Sequence, residues 1–130
     1  MIKESNVTVM VSDLNRSIQF YTETLGLKLV NRIQDHWAEI VAPGLTIGLH
    51  PAGPHGPKPG NSESLAIGFT VDNLDNDITT LKNKGIAFAP NIIEEGPVRI
   101  AFFNDPDKIP LYFCEVRVFL SQYTWKRDIT

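Results

Sequence analysis

Glu39, His50 and Arg99 are ionisable residues in segments where apolar residues occur at every second position. Strand geometry places all three on the same kind of sheet face, opposite the apolar one. Imidazole titrates near neutral pH, which makes His50 a candidate general base or metal ligand, although it also precedes Pro51, where a strand would end in solvent. A buried carboxylate needs a partner, so Glu39 is expected to pair with Arg99 or another base, to bind a ligand, or to lie at a wet rim. These residue types predict acid–base chemistry, with Glu39 and His50 as the candidate catalytic residues.

The acidic sequence Asp105-Pro106-Asp107 precedes the apolar run LYFCEV. An Asp side chain can accept from its own backbone and Pro fixes φ, so these residues predict a turn between two strands, with both acids facing solvent. A calcium-binding loop is disfavoured because the alternating oxygen ligands, central Gly and terminal Glu are missing at the required spacing. Cys114, the single cysteine, has no recognisable activating group and is interpreted as a small core residue.

An internal repeat indicates the elements that position these residues. NVTVMVSDLNRSIQFYTETLGLKL, from Asn6, aligns with AIGFTVDNLDNDITTLKNKGIAF, from Ala66, after a one-residue deletion. In the first copy, alternating valines give way to apolar residues spaced four, three and four apart from Leu14 to Leu25, which predicts a strand and then a helix. The predicted helix ends are Ser12-Asp13 with Gly26 and Asp72-Asn73 with Gly85.

Each copy is predicted to continue into three further strands, so the chain is expected to be an α+β protein of two βαβββ modules in tandem. We expect a single domain, residues 1–130, with module one at about 1–50, a Pro- and Gly-rich linker at about 51–63, and module two at about 64–116. The tail, 117–130, carries Phe119, Tyr123 and Trp125 and is expected to pack on the body or on a partner subunit. The further strands are predicted at 28–34, 37–42 and 45–50, and at 86–89, 98–104 and 111–116.

Alternation along the strands separates two kinds of face. One is apolar and is expected to be covered by the helices; it holds Val7, Val9, Val11, Ala38, Ile40, Leu45, Ile47, Leu49, Leu65, Ile67, Phe69, Val71, Leu111 and Phe113. The other carries small, weakly polar and aromatic residues, typical of a cavity that binds a small molecule, and Gly48 and Gly68 leave room there. Its candidate ligand-binding residues are Asn6, Thr8, Trp37, Gly68, Arg99, Phe103 and Tyr112. Alternatively, the second faces pack together, within the chain or in a dimer.

The composition disfavours several kinds of partner. The chain has 130 residues, 42% of them hydrophobic, which is enough for a buried core, and its formal net charge is −3. The Lys and Arg residues are scattered and give no basic field, so nucleic acid is not an expected partner. No apolar run reaches the roughly 18 residues of a membrane span. The N-terminal sequence lacks the pattern of a signal peptide, so a cytoplasmic protein without a membrane partner is predicted.

Two stretches carry a family resemblance. VSDLNRSIQFYTETLGLKL resembles the start of a vicinal oxygen chelate module, and FFNDPDKIPLYFCE is similar to the closing signature of that superfamily, which includes glyoxalase I, bleomycin-resistance proteins and extradiol dioxygenases. Lys108-Ile109 replaces the usual Gly-Asn of that signature. The resemblance covers the chain to about Val116. It implies two βαβββ modules forming an open U-shaped mixed sheet around a cavity, a homodimer in many members, and a divalent metal held by up to four side chains.

The metal ligands implied by this resemblance are mostly missing. The corresponding positions fall on Asn6, a weak oxygen donor, on Ala66, which cannot ligate, on Tyr112, where Glu is usual, and near Gly48. No metal and no cofactor is therefore predicted. We expect a glyoxalase- or bleomycin-resistance-like protein that binds a small organic molecule in the cavity and forms a homodimer.

Two alternatives stay open at this stage. A metal-dependent lyase, isomerase or dioxygenase would use Glu39, His50, Glu115 or residues of a partner subunit in place of the missing ligands, with the metal as a Lewis acid. In that case a bulge must turn Glu115 inward, because it alternates away from Tyr112. A non-catalytic dimeric interaction module would have its faces filled and would bind no ligand.

Overall fold

The computed structural model describes residues 1–60 and 62–117. Within this part of the chain the elements, in order, are β1 (Val7–Val11), α1 (Leu14–Gln19), a π-helical turn (Phe20–Thr24), β2 (Lys28–Ile33), β3 (Trp37–Ala42), β4 (Leu45–Pro51), β5 (Ile67–Thr70), α2 (Leu74–Asn83), β6 (Ile93–Glu95), β7 (Val98–Asn104) and β8 (Pro110–Val116).

The strands form two four-stranded mixed sheets, one from each copy of the repeat. The first has the order β1-β4-β3-β2, with β1 parallel to β4 and the remaining pairs antiparallel. The second has the order β5-β8-β7-β6, with β5 parallel to β8 and β6 antiparallel to β7. The same order in both sheets confirms the α+β class and the tandem βαβββ design.

The chain divides into two compact units. Among the described residues, the first consists of Met1–Ala66 together with Asn104–Pro110, and the second of Ile67–Phe103 together with residues 111–117. The turn between β7 and β8 therefore groups with the first unit, although its two strands belong to the sheet of the second.

The ends of both helices follow the prediction. The Asp13 carboxylate accepts from the Arg16 amide at 3.1 Å, and the Asn73 side chain accepts from the Asn76 amide at 3.0 Å, so each satisfies a free N–H of the first turn. After the helices, Gly26 and Gly85 have φ of 76° and 92°, a conformation that glycine adopts without steric cost.

The first helix differs from the prediction in its last turn. The α-helix ends at Gln19 and continues as a π-helical turn, in which the Leu25 amide donates to the Phe20 carbonyl at 3.0 Å. The wider turn buries both Phe20 and Tyr21, whose rings meet edge to face at 5.1 Å. Apolar spacing alone predicts helix over this stretch, and it does not distinguish the α from the π hydrogen-bond pattern.

In each unit the core lies between the helix and the apolar face of the sheet. In the first unit Ala38, Ile40, Ile47 and Leu49 are fully buried, as alternation predicts. In the second unit Leu74, Ile78 and Leu81 recur at helical spacing on α2 and are buried, and Ile67, Leu111 and Phe113 are buried on the strands. Removing these side chains from water is the main favourable term in the stability of each unit.

The strand predicted at residues 86–89 is wrong, and the edge strand of the second sheet is β6. Phe88 packs its ring on Phe103, with centroids 5.1 Å apart, and the Ala89 amide donates to the Phe102 carbonyl at 2.8 Å. Pro90 then follows, and because it has no N–H it cannot extend a ladder from that bond.

The face assignment along β7 is wrong by one residue. Ala101 and Phe103 are buried on the helix side, where the Phe103 ring lies 5.1 Å from that of Phe113. Phe102 lies on the other side of the sheet, 5.3 Å from the ring of Tyr112. Since β7 carries apolar residues on both faces, alternation could not fix its phase.

Two further expectations concern the chain outside the strands. Leu65, predicted for the apolar face, precedes β5 and is 49% exposed. Phe119, Tyr123 and Trp125 of the tail lie outside the described residues.

Candidate functional site

The first sheet presents one face away from its core, and we call it the first open face: Thr8, Met10, Trp37, Glu39, Gly48 and His50. Strand pairing sets Thr8 beside Gly48 and Gly48 beside Glu39, in one row across β1, β4 and β3. Met10 pairs with His50 in the next row. The register therefore brings the two candidate catalytic residues, Glu39 and His50, onto one surface.

The ring of Trp37 lies over Gly48. A Cβ atom at Gly48 would overlap the six-membered ring, so the glycine is needed for this packing. The indole N–H of Trp37 donates to Glu39 Oε1 at 3.0 Å. The expectation that Gly48 leaves room for a ligand is therefore wrong, because the Trp37 ring occupies that space.

His50 has a defined proton on one ring nitrogen. Its Nδ1 lies 2.7 Å from the Pro51 carbonyl oxygen, which can only accept, so Nδ1 carries the hydrogen. In the neutral ring Nε2 then holds the lone pair. The ring is exposed and lies 6.2 Å from that of Trp37, at a steep angle. His50 can thus accept a hydrogen bond or a proton at Nε2.

The predicted ligand-binding residues near the start of β1 are both exposed. Asn6 lies just before the strand, and its Oδ1 accepts from the Thr8 hydroxyl at 3.1 Å. Thr8 lies in the same row as Glu39, so it belongs to the first open face, whereas the oxygen of Asn6 already has a partner in the chain.

The second sheet has a corresponding open face, which we define as Gly68, Thr70, Phe102, Tyr112 and Cys114. Gly68 pairs with Tyr112 across β5 and β8, and a Cβ atom at Gly68 would overlap the Tyr112 ring. Cys114 is half-buried on this face rather than in the core. As in the first sheet, an aromatic ring covers a glycine of the neighbouring strand, and the room expected at Gly68 is filled.

Arg99 and Phe103, predicted as ligand-binding residues, lie on the helix side of the second sheet. The Arg99 guanidinium is 3.1 Å from carboxylate oxygens of both Asp75 and Glu94. Its hydrogen bond holds the pKa of Asp75 below the usual value. The Arg99 guanidinium also lies 3.6 Å from a Glu115 oxygen, so its ion pairs are made with acids of its own unit.

Glu115 is committed to the same side of the second sheet. Its Oε1 accepts from the Leu74 amide at the start of α2 at 2.9 Å, and its Oε2 lies 2.6 Å from the Arg117 guanidinium. The hydrogen bond from the Leu74 amide, followed by the contact with Arg117, lowers the pKa of Glu115. The bulge that would turn Glu115 toward Tyr112 does not occur, since β5 and β8 pair without interruption up to Cys114.

The Asp105-Pro106-Asp107 sequence forms the predicted turn, but its acids do not face solvent. Asp105 is 4% exposed and accepts from the Tyr21 hydroxyl at 2.8 Å and from the amides of Asp107 and Ile109 at 2.8 and 2.9 Å. Burial raises the pKa of Asp105, although the three hydrogen bonds oppose that shift.

The other groups of this turn also bond within the first unit. Asp107 accepts from the Ser12 amide at 3.1 Å and from its hydroxyl, and it lies 3.5 Å from the Arg16 guanidinium. Burial, together with the neighbouring Asp105, raises the pKa of Tyr21 well above its usual range. Sequence reasoning missed these contacts; the signal was a tyrosine on the buried face of a predicted helix, which needs a partner for its hydroxyl.

The residues at the metal-ligand positions of the superfamily do not form a donor set. Gly48 and Ala66 have no donor atom, the Asn6 oxygen is used by Thr8, and Tyr112 covers Gly68. Within the described ranges, no three His, Cys, Asp or Glu side chains come together in a group that could hold a metal ion. The residues present therefore do not fit the usual metal. In the same ranges, no helix is long and apolar enough to cross a bilayer.

Comparison with known proteins gives the class of this chain. The family model described as Glyoxalase/Bleomycin resistance protein/Dioxygenase superfamily matches residues 5–113. A Bacillus subtilis protein, the uncharacterized protein YurT, is 30% identical in an alignment 110 positions long, which covers 75% of this chain and 87% of that protein. The chain belongs to the glyoxalase/bleomycin resistance protein/dioxygenase superfamily.

One further curated protein and one solved structure match this chain and have names that state an activity. Lactoylglutathione lyase of Schizosaccharomyces pombe is 28% identical in an alignment 134 positions long, which covers 81% of this chain and 44% of the lyase. The chain therefore spans less than half of that enzyme. The solved structure of TnmS3, an antibiotic binding protein from a Streptomyces species, matches with a TM-score of 0.64 and 24% identity over 89% of this chain and 99% of the other. At this identity the second likeness shows the fold alone.

Proposed function

We propose that this protein binds a small organic molecule on the open faces of its sheets and does not use the usual metal of its superfamily. The observation that carries this proposal is the pair of flat aromatic rings on the open faces, Trp37 against Gly48 and Tyr112 against Gly68. Such rings are flat apolar surfaces of the kind that line small-molecule sites. The antibiotic-binding relative of the same fold is consistent with a binding role.

The polar groups beside Trp37 support a site rather than a plain surface. Glu39 Oε1 accepts from the Trp37 indole, and His50 Nδ1 bonds to the Pro51 carbonyl. The second polar atom of each side chain, Glu39 Oε2 and His50 Nε2, is left for a ligand. A few convergent polar groups on an aromatic wall orient a bound molecule. Residence in the cytoplasm and a homodimeric state are part of this proposal, since the sequence composition favours the first and the superfamily favours the second.

A metal-dependent lyase or isomerase is the second candidate, and the lyase relative is the observation in its favour. Such an enzyme would need replacement metal ligands. Glu115 is held by the Leu74 amide and Arg117, which leaves Glu39 and His50 of the first unit. Two ligands make an incomplete site, so this candidate needs donors from a partner subunit or from substrate.

The test combines metal content with ligand binding. Tag-free protein purified without chelator is expected to hold almost no transition metal per chain, also after soaking in Zn²⁺, Ni²⁺, Mn²⁺ or Fe²⁺ and desalting. A panel of small aromatic compounds is then expected to raise Tm, as any ligand specific for the folded state does, and Trp37→Ala is expected to abolish the rise.

Two results would overturn the proposal in different ways. Close to one metal ion retained per chain, and lost in His50→Ala, would favour the lyase. An absence of metal with no Tm rise for any compound would favour a non-catalytic interaction module.

A further inference from the structure

The carboxylate of Glu39 has fewer partners than that of Asp105, which is buried and accepts three hydrogen bonds. Asp107 and Glu115 each lie within 4 Å of an arginine. Glu39 is also half-buried, yet among the described residues it has no ion-pair partner, and its one hydrogen bond comes from the neutral Trp37 indole. A half-buried carboxylate with one neutral donor gains a favourable interaction when a positive group binds beside it.

The two cations on β2, the strand next to β3, make no ion pair with Glu39. Lys28 pairs with Val41 on the same face of the sheet, but it is exposed and makes no ion pair with Glu39. Arg32 bonds to Asn15 and Asp35. The negative charge of Glu39 is therefore not neutralised by the described part of its own unit.

The groups around Glu39 all favour a positive hydrogen-bond donor. The Trp37 ring offers a π face, which attracts a cation electrostatically. His50 has its Nδ1 hydrogen committed to the Pro51 carbonyl, so that in the neutral ring Nε2 can only accept. The first open face thus places a carboxylate, an imidazole whose Nδ1 is bonded within the chain, and an aromatic ring together.

We propose that the small molecule bound at the first open face is an organic cation with N–H donors, such as an amidinium or ammonium group attached to a flat ring. Its charged group would meet Glu39 Oε2, and its ring or charge would lie on Trp37. This inference rests on the proposed function, because it specifies the chemical class of ligand for the same face.

The experiment uses three probes of nearly equal size and shape: benzamidinium, neutral benzamide and anionic benzoate. Each is titrated into the ¹⁵N-labelled full chain, and the Trp37 indole N–H resonance is followed, assigned by its loss in Trp37→Phe. Benzamidinium is expected to bind about tenfold more tightly than benzamide, from a cation–π contact and a partly exposed ion pair together, and benzoate more weakly than either.

The charge of Glu39 is tested with a variant that keeps its hydrogen bond. In Glu39→Gln the side-chain oxygen can still accept from the Trp37 indole, and the preference for benzamidinium is expected to fall to about twofold or less. Glu63→Gln, the same change at an exposed linker position, is expected to leave the preference unchanged.

Each other outcome overturns the inference. Equal binding of the three probes, or a preference that survives in Glu39→Gln, would reject a cationic ligand while leaving the proposed function standing. If neither these probes nor the aromatic panel perturb the first open face, the proposed function is rejected at that face and the inference with it.

Discussion

At the scale of single residues, the first unit contains a buried carboxylate whose charge is supported by three donors. Asp105 receives hydrogen bonds from the Tyr21 hydroxyl and from two amides of its own turn. A buried acceptor that loses a donor carries the full cost of its lost solvation, so the contact with Tyr21 matters more than an average hydrogen bond.

Removing that hydroxyl is expected to destabilise the protein. Tyr21→Phe should lower the free energy of unfolding by about 1–3 kcal/mol, because Asp105 stays buried with one donor fewer. Urea denaturation measures the change. Tyr112→Phe is the matched control: within the described ranges its hydroxyl makes no hydrogen bond, and its expected change is within about 0.5 kcal/mol. Equal losses in the two variants would contradict the assigned role of Tyr21.

The sequence predicted part of the candidate site at this scale. Alternation on β3 and β4 correctly placed Trp37, Glu39 and His50 on one face, because each strand has buried apolar residues at every second position. It did not predict the bond from Trp37 to Glu39, since a strand pattern gives the side of the sheet on which a residue lies and not the rotamer of its side chain. The binding role of these residues stays a prediction.

At the scale of elements, the two sheets share one packing arrangement, in which an aromatic ring lies against a glycine of the adjacent strand. The pairs are Trp37 with Gly48 and Tyr112 with Gly68. Neither glycine has a positive φ, so their role is to admit the ring and not to allow an unusual backbone. Gly48 is buried beneath its ring, whereas Gly68 stays exposed beside Tyr112. Strand glycines are stabilised by the cover of a neighbouring ring.

Adding a methyl group at this position is expected to displace the ring. Gly48→Ala should lower stability by about 1–3 kcal/mol through overpacking, and it should shift the Trp37 indole resonance. Gly53→Ala is the control, because its new Cβ would make an ordinary contact, 3.8 Å from the His55 carbonyl oxygen, and its φ is not positive. No change in either stability or resonance for Gly48→Ala would show that the ring is not held against the strand.

At the scale of the whole molecule, carboxylates in the two units respond to acid in opposite directions. Burial raises the pKa of Asp105 in the first unit, so this carboxyl binds a proton more readily in the folded protein than in the unfolded chain. Its contribution to stability therefore falls as pH rises from the ordinary aspartate pKa through the folded-state pKa. The pKa of Glu115 in the second unit is lowered, so its contribution is present above the ordinary glutamate value and is lost as pH falls through the folded value.

Glu115→Gln tests this sign. The glutamine oxygen can still accept from the Leu74 amide, but the charge that faces Arg117 is removed. The variant is expected to be less stable than the natural chain at neutral pH, and the difference should shrink below about pH 4, where glutamates begin to be protonated. Urea unfolding at several pH values measures it. A difference that does not change with pH would contradict the assigned role of the charge.

The sequence by itself determined the repeat, the helix caps, the apolar faces of most strands and the superfamily, because these depend on local spacing and on residue types that suit one backbone conformation. Only the tertiary structure decided the partners of the polar side chains and the phase of β7. Tyr21 and Asp105 are 84 residues apart, and Glu115 accepts from an amide 41 residues away. The spacing of apolar residues shows toward which face a side chain points. The partner of that side chain depends on which distant elements the folded chain brings beside it.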